Sequence, residues 1–326
     1  MKATAIAPSN IAFIKYWGRK DEALRLPENG SISMNLSDLL TTTTVEFSPS
    51  YTHDEISING QIEPQERAEK IVKHLDRVRA LANTQNKAKV VSKNNFPRGT
   101  GLSSSASGFA ALTVAATKAA GLDLSEKELS ILARQGSGSA CRSIPDGFVQ
   151  WFDGDTSEDS FAQTIFSPDH WDIVDFAVIL TEEMKDVSTS EGQKSARTSP
   201  FYELRQKNIQ GKIEKIKKAM QEKDFTAFGE ITEGEALELH AIMLTSHPSL
   251  IYWYPATISI MKAVKKWRKE GLEVYFTMNT GQNIHVLCQK KDADQVEKLL
   301  KEIPDVKQTI KNSPTKGALL IEQDLF

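Results

Sequence analysis

A chain of 326 residues, 40% apolar and 25% charged, has the make-up of an ordinary globular protein of about two domains. Forty basic against forty-three acidic side chains leave a net charge of −3, which excludes a broad nucleic-acid-binding surface but not a local cluster of cations around a small anion. Cys141 and Cys288 are too few for a disulfide framework, and the six histidines lack zinc-site spacing. With no apolar run of about eighteen residues and an opening segment too interrupted for a secretory leader, the expected location is cytoplasmic, with no membrane partner.

Strand signals dominate the first part of the chain. Residues 41–47 (T-T-T-T-V-E-F) are β-branched, and 54–60 alternate before an Asn-Gly turn. Residues 66–81 have helical spacing, with Ile71, Leu75 and Val78 on one face. A short strand over 87–92 leads into a glycine–serine loop, followed by an alanine-rich helix over 105–120. A second helix over 124–134 opens on Ser125, with Glu128 completing a capping box. Strands are expected over 147–152 and 171–180, and helices over 201–222, 225–244 and 256–270. Strands over 272–277 and 284–288, a helix over 293–302 and a last strand over 318–321 complete the chain. Helices and strands come in blocks, so the fold class is α+β. The polar loop 186–199 suggests a boundary near residue 185, giving units 1–185 and 186–326.

The most informative stretch is Pro97-Arg98-Gly99-Thr100-Gly101-Leu102-Ser103-Ser104-Ser105-Ala106-Ser107-Gly108. A strand precedes it and an uncharged helix follows at once, so it reads as a turn and not as a flexible linker. Glycines before a helix let backbone N–H groups converge on an anion at the helix's positive end, and serine hydroxyls there reach phosphate oxygens or a phosphate-bound magnesium ion. The spacing is neither that of a P-loop nor that of a dinucleotide-binding turn.

P-x-x-x-G-L-x-S-S-A resembles the ATP-phosphate loop of the galactokinase, homoserine kinase, mevalonate kinase and phosphomevalonate kinase (GHMP) superfamily. Further stretches narrow this to the mevalonate diphosphate decarboxylases: residues 9–18 (S-N-I-A-F-I-K-Y-W-G), 94–97 (N-N-F-P), 136–143 (G-S-G-S-A-C-R-S), 198–200 (T-S-P), 239–241 (L-H-A) and 276–278 (F-T-M). The resemblance runs from residue 5 to about 290 and includes the branch acting on mevalonate 5-phosphate. It implies an N-terminal domain of the ribosomal protein S5 domain 2 type, a ferredoxin-like C-terminal domain, and a homodimer.

It also implies an ATP- and Mg2+-dependent carboxy-lyase. The C3 hydroxyl of a 5-phosphorylated mevalonate is phosphorylated, and loss of that phosphate with carbon dioxide gives isopentenyl phosphate or diphosphate. Lys15, Arg142 and Asn279 then fall at catalytic positions. Pro97, Gly99, Gly101, Leu102, Ser103, Ser104 and Ser105 bind ATP, with Ser104 the candidate magnesium ligand. Tyr16, Arg19, Ser137, Ser139, Arg142, Ser195 and Arg197 bind substrate. Lys15 stands out independently, as a charge within an aromatic and apolar run. Cys141 reads as a packed small residue and His240 as structural at least as readily as basic.

The chain departs from the family pattern in three places. Asn279 stands where an aspartate faces the C3 hydroxyl, Arg197 is one position beyond the usual arginine, and Asp146 replaces a glycine in what reads as a turn. Asn279 therefore keeps open a 3-kinase that stops before decarboxylation, and a non-catalytic ligand-binding relative is a further alternative. Monophosphate and diphosphate substrates also stay open.

Overall fold

The computed structural model describes residues 1–326, the side chain of Arg67 excepted. Its frame is an eight-stranded sheet built on two long neighbours, Lys2–Ile14 and Ser31–Ser48, paired antiparallel over nearly their whole lengths. The β-branched run Thr41–Thr44 lies in the second of these. The first strand carries Pro8, which cannot donate to the ladder, and the register with its neighbour shifts between Pro8 and Asn10. Beyond the shift, Asn10 donates to the Ser139 carbonyl at 3.2 Å and to Ser143 Oγ at 2.8 Å. An irregularity in the ladder thus ties the strand to the segment that carries Arg142.

Helices Gln65–Ala82, Ser104–Ala119 and Glu126–Gly136 cover one side of this sheet around a core of Ala5, Val45, Leu75, Ala110, Ala111 and Leu132. Small residues on the Ser104–Ala119 helix, which is buried along most of its length, let it lie close against the strands. The Ser125–Glu128 capping box forms as the sequence indicates.

The second sheet has the order Val274–Thr277, Ile284–Gln289, Ile173–Ile179, Gln308–Asn312, all neighbours antiparallel. Two of its connections run through helices, making the ferredoxin-like arrangement, and its period-two alternation feeds two cores. Ala177 and Ile179 join Phe13, Phe228 and Met34 on the side facing the first sheet. Phe176 and Val178 join Val264, Trp267 and Leu300 on the other.

This topology moves the expected boundary. Ile173–Ile179, assigned by sequence to the first unit, pairs with Ile284–Gln289 in the second sheet, so the division falls near residue 170 and not at 185. The C-terminal strand Leu319–Ile321 crosses back to pair with Thr4–Ile6. Strands Lys2–Ile14, Ala162–Phe166 and Gln308–Asn312 had no individual signal. The first is buried almost throughout, not alternating, and the last is polar. No helix among the described residues is long and apolar enough to cross a membrane.

The two halves meet backbone to backbone at Gly101 and Gly281. Gly101 has φ +94°, and a Cβ on it would lie 2.8 Å from the Gly281 Cα; a Cβ on Gly281 would lie closer still to Gly101. Only paired glycines allow this approach. Gly281→Ala should lower stability by about 1–3 kcal/mol, read as a lower urea midpoint with an unchanged slope. An unchanged midpoint would mean that the halves separate without cost at this point.

Candidate active site

Beside the Gly101–Gly281 contact, Gly101 and Thr280 line a cleft of about 260 Å3. One wall is the glycine–serine loop. Ser103 takes the left-handed conformation (φ 57°) at the N-cap of Ser104–Ala119, and neither a capping side chain nor an acidic first-turn residue serves that helix end. The Ala106 N–H turns in on the Ser103 carbonyl at 2.8 Å, and the N–H groups of Ser104 and Ser105 stay available to an anion. Within the loop, the Gly99 N–H donates to Ser104 Oγ at 3.3 Å. Asn283 fastens the loop from the other half, donating to the Thr100 carbonyl at 3.2 Å while its Oδ1 accepts from Leu180 N–H at 2.8 Å.

Cations line the rest of the cleft, and one of them, Lys185, is tied to the loop by its backbone N–H, which donates to the Gly99 carbonyl at 3.1 Å. Lys15, Arg19, Arg25, Lys70, Arg142 and Lys185 line the cleft, and no Asp or Glu does so among the described residues. In a chain of net charge −3, this is a marked local separation of charge.

Lys15 is 2% exposed. Its ammonium donates to the Ala12 carbonyl and to Thr277 Oγ1 at 2.7 Å, leaving one of its three donors for a ligand. Burial pulls its pKa down to about 7; Glu235 opposes that pull, while Arg142 and Arg205 add to it. Arg142, 4% exposed, is fixed by Ser33 Oγ (3.1 Å), Ser31 Oγ (2.7 Å) and Asn10 Oδ1 (3.1 Å). Three of its five donors are thereby engaged, leaving the guanidinium two for the cleft. Asn279 donates through Nδ2 to Ser103 Oγ at 2.8 Å, joining the second sheet's turn to the glycine–serine loop.

A second group of donors gathers at the cleft's edge. Arg19 Nε donates to Tyr16 Oη at 2.7 Å, and Arg19 and Arg25 both donate to Ser190 Oγ, at 3.1 and 3.3 Å. Lys185 donates to Thr189 Oγ1 and the Thr280 carbonyl, each at 2.6 Å, and burial pulls its amine down to about 7 as well.

Of the residues singled out in sequence, Lys15, Tyr16, Arg19, Gly99, Gly101, Ser103, Ser104, Ser105, Ser137, Ser139, Arg142 and Asn279 come together in the cleft. Pro97 and Leu102 do not line it: their carbonyls accept from Thr100 Oγ1 and Ser9 Oγ, bracing the loop from behind. Ser195 and Arg197 lie elsewhere. Ser195 Oγ closes its own turn on the Gly192 carbonyl at 2.9 Å, and Arg197 is drawn outward into an ion pair with Glu28. The same loop instead presents Ser188, Thr189 and Ser190 to the cleft.

Arg25, Lys70 and Lys185 were missed. Each sits in a polar stretch whose composition matches solvated surface, and only the cleft distinguishes them. Asp146 lies in the bend before strand Phe148–Trp151, and its carboxylate accepts from the distant Gly317 N–H at 2.7 Å. Cys141 is packed, its thiol raised to about 12 by burial. His240 donates Nε2–H to the Asn279 carbonyl at 3.0 Å and stacks on Trp253; burial lowers its pKa to about 3, so it stays neutral.

A two-unit fold with an uncapped glycine–serine helix entrance in a cationic, carboxylate-free cleft defines a small-molecule phosphotransfer-type site of the GHMP architecture. Family models match both halves: residues 7–162 fit the diphosphomevalonate decarboxylase-like N-terminal domain, and 176–323 the mevalonate 5-diphosphate decarboxylase C-terminal domain. The chain belongs to the diphosphomevalonate decarboxylase family.

It is 36% identical over 315 residues to diphosphomevalonate decarboxylase of Candida albicans, covering 91% of this chain and 87% of that protein. It is 34% identical over 298 residues to phosphomevalonate decarboxylase of Haloferax volcanii, covering 91% of each. Among solved structures, mevalonate diphosphate decarboxylase from Enterococcus faecalis superposes with a TM-score of 0.92 at 37% identity. A complex of MDDEF with MVAPP, AMPPCP and magnesium gives 0.93 at 38%. Each covers 99% of both chains.

The amines of Lys15 and Lys185 are pulled below the usual lysine range to about 7. Their charge is thus fully present in acid and lost as pH rises through that value. Sulfate, whose own charge is constant there, should bind roughly tenfold more weakly at pH 8.5 than at pH 6. Equal affinities by titration calorimetry would show that neither amine titrates in this range.

Proposed function

We propose that the chain catalyses ATP-dependent decarboxylation of a mevalonate phosphorylated at C5, giving an isopentenyl phosphate or diphosphate, ADP, phosphate and carbon dioxide. The observation that carries this reading is the cluster of cations, with Lys15 and Arg142 buried, that shares a cleft without carboxylates with the uncapped helix entrance. Two polyanions could not approach each other without such a cluster.

In the first step an oxygen–phosphorus bond forms between the C3 hydroxyl and the terminal phosphoryl group of ATP; the P–O bond to the β-phosphate breaks with its electrons leaving on ADP, and the hydroxyl proton passes to a phosphoryl oxygen. In the second, the C3–O bond breaks with its electrons going to phosphate. The C1–C2 bonding pair becomes the alkene and carbon dioxide departs. The glycine–serine loop holds the nucleotide phosphates on the Ser104–Ala119 helix's free N–H groups. Lys15 directs its remaining donor to the transferring phosphoryl group, where charge stabilisation and positioning supply most of the catalysis. Arg142 holds the substrate carboxylate in its fork. Tyr16, Arg19, Arg25 and Ser190 serve the C5 phosphate, with Ser137 and Ser139 beside them.

Magnesium prefers an octahedral oxygen shell and commonly keeps waters and substrate phosphates in it. The cleft offers the hydroxyls of Ser103, Ser104 and Ser105, and no metal-holding group of three or more His, Cys, Asp or Glu side chains occurs among the described residues. That donor set fits an ion carried in with the nucleotide, with Ser104 its candidate protein ligand; when bound, the ion neutralises phosphate charge. The reading includes a cytoplasmic location and a homodimer. The exposed Ile251, Tyr254 and Ile258 are apolar surface that a dimer would cover, and sedimentation velocity tests this.

Incubation with MgATP and, in turn, mevalonate, its 5-phosphate and its 5-diphosphate should release carbon dioxide and ADP in equal amounts from a 5-phosphorylated form. ADP without carbon dioxide would turn the reading into a 3-kinase, the outcome that Asn279 makes worth measuring. No turnover of any of the three would remove it. Lys15→Ala and Arg142→Ala should each lower kcat by about 10²–10³-fold, with circular dichroism unchanged. Near-normal rates in either would exclude that residue from the machinery.

A further inference from the structure

Behind Lys15, on the side away from the cleft, lies a set of charges that the reaction does not use. Arg205 and Lys212 come from helix Tyr202–Glu222, and Glu235 and Glu238 from helix Phe225–Thr245. The side chains of Arg205 and Glu235 are both fully buried, and they pair at 2.9 Å. Lys212, a quarter exposed, bonds Glu235 at 2.7 Å and also pairs with Glu238.

Burying such a network carries a heavy desolvation penalty for each ion, and apolar packing of the same volume serves stability as well or better. What the network touches suggests why it is there. Glu235 accepts from the Lys15 backbone N–H at 3.1 Å. Arg205 donates to the Lys15 carbonyl at 2.7 Å, and Asn29 donates to the same carbonyl at 2.9 Å. Arg205 also holds Asn29 Oδ1 at 3.0 Å. The backbone of one residue, the one that presents its ammonium to the cleft, is thus gripped at both its N–H and its C=O.

We propose that Arg205 and Glu235 are a positioning pair for Lys15: they fix the backbone from which its ammonium projects and set a buried negative charge behind it. The groups facing Lys15 fit this reading. Arg142 on the Gly138–Ser143 turn and Arg205 oppose its charge; Glu235, and more weakly Asp175 on the central strand of the second sheet, favour it. Asp175 is already shared with His285 at 2.9 Å and Asn312 at 3.3 Å. Glu235 is shared with two cations; burial pushes its carboxyl up, but Arg205 and Lys212 more than offset this and hold it ionised. No acidic side chain lines the cleft itself, so the charge that supports Lys15 comes from behind. The proposal rests on the proposed function only for the use to which the ammonium is put.

The two sides of the network give opposite signs. Glu235→Gln retains an acceptor for the Lys15 N–H and removes the charge, so the ammonium loses its proton at lower pH. Lys212→Met removes a competing cation at the protein's edge, leaving Glu235 less neutralised, so Lys15 keeps its proton to higher pH. The full-length protein, labelled with 15N at lysine Nζ and assigned with a Lys15→Met sample, reports this by NMR without any substrate. The Lys15 midpoint should fall on the order of one pH unit in Glu235→Gln and rise by a smaller amount in Lys212→Met. The basic limb of kcat/KM should move with it.

Shifts in the same direction in both variants, or none in either, would reduce the network to a structural tie between helices and strand and overturn the proposal. Should Glu235→Gln fail to fold, Lys212→Met decides alone: a rise supports the pair's role, and an unchanged or lower midpoint rejects it. Midpoints that move as stated in a protein inactive on every mevalonate form would reject the proposed function and leave this inference standing.

Discussion

Everything about the cleft follows from concentrating positive charge in a place where water cannot shield it. Arg142 and Lys15 are each nearly removed from solvent, and isolated charges so placed would be expelled or neutralised. The fold keeps them by giving every engaged donor a neutral oxygen: serine hydroxyls and an asparagine for Arg142, a carbonyl and a threonine for Lys15. Neutral partners satisfy hydrogen bonding without cancelling charge. The field therefore still points into the cleft, where an anionic ligand supplies the counter-charge that no side chain lining it does.

The same constraint explains the glycines at the seam. An anion can be shared between the Ser104–Ala119 helix entrance and the cations only if the two halves touch without side chains between them. Gly101 and Gly281 permit that contact, and Asn283 and Asn279 then stitch the loop to the second half through amide donors. Long-range antiparallel pairing of Lys2–Ile14 with Ser31–Ser48 supplies the rigid base, and the register shift beside Pro8 is followed directly by Asn10, which meets Arg142.

Local patterns made much of this legible. The capping box, the Thr41–Thr44 strand and the alanine-rich helix each express a rule acting over a few residues, and each forms. The glycine–serine loop and Lys15 were visible because they break local expectation: a flexible composition between regular elements, and a charge among aromatics. What stayed hidden depends on distant partners. The strand Ile173–Ile179 was readable as a strand, but its membership of the second sheet is fixed by residues more than a hundred positions away. Arg197 carries the right chemistry and is diverted by Glu28, a pairing across 169 positions. Glu235 sits in E-G-E-A-L-E, which reads as a solvated helix face until Arg205 is found buried against it.

Asn279 is best understood in the same electrostatic terms. An aspartate there could only accept hydrogen bonds, whereas the amide donates to Ser103 Oγ and leaves that hydroxyl's own hydrogen available to the cleft. The exchange removes the one carboxylate that the family pattern would set against the reacting hydroxyl. It also removes the only charge that would offset Lys15 and Arg142 from within the cleft. Where phosphoryl transfer is governed by placement and field more than by a strong base, the proposed reaction would rest on the cations of the cleft, with the Asn279 amide orienting the hydroxyl. The burden of keeping Lys15 charged then falls on groups outside the cleft, which is where the structure puts Glu235.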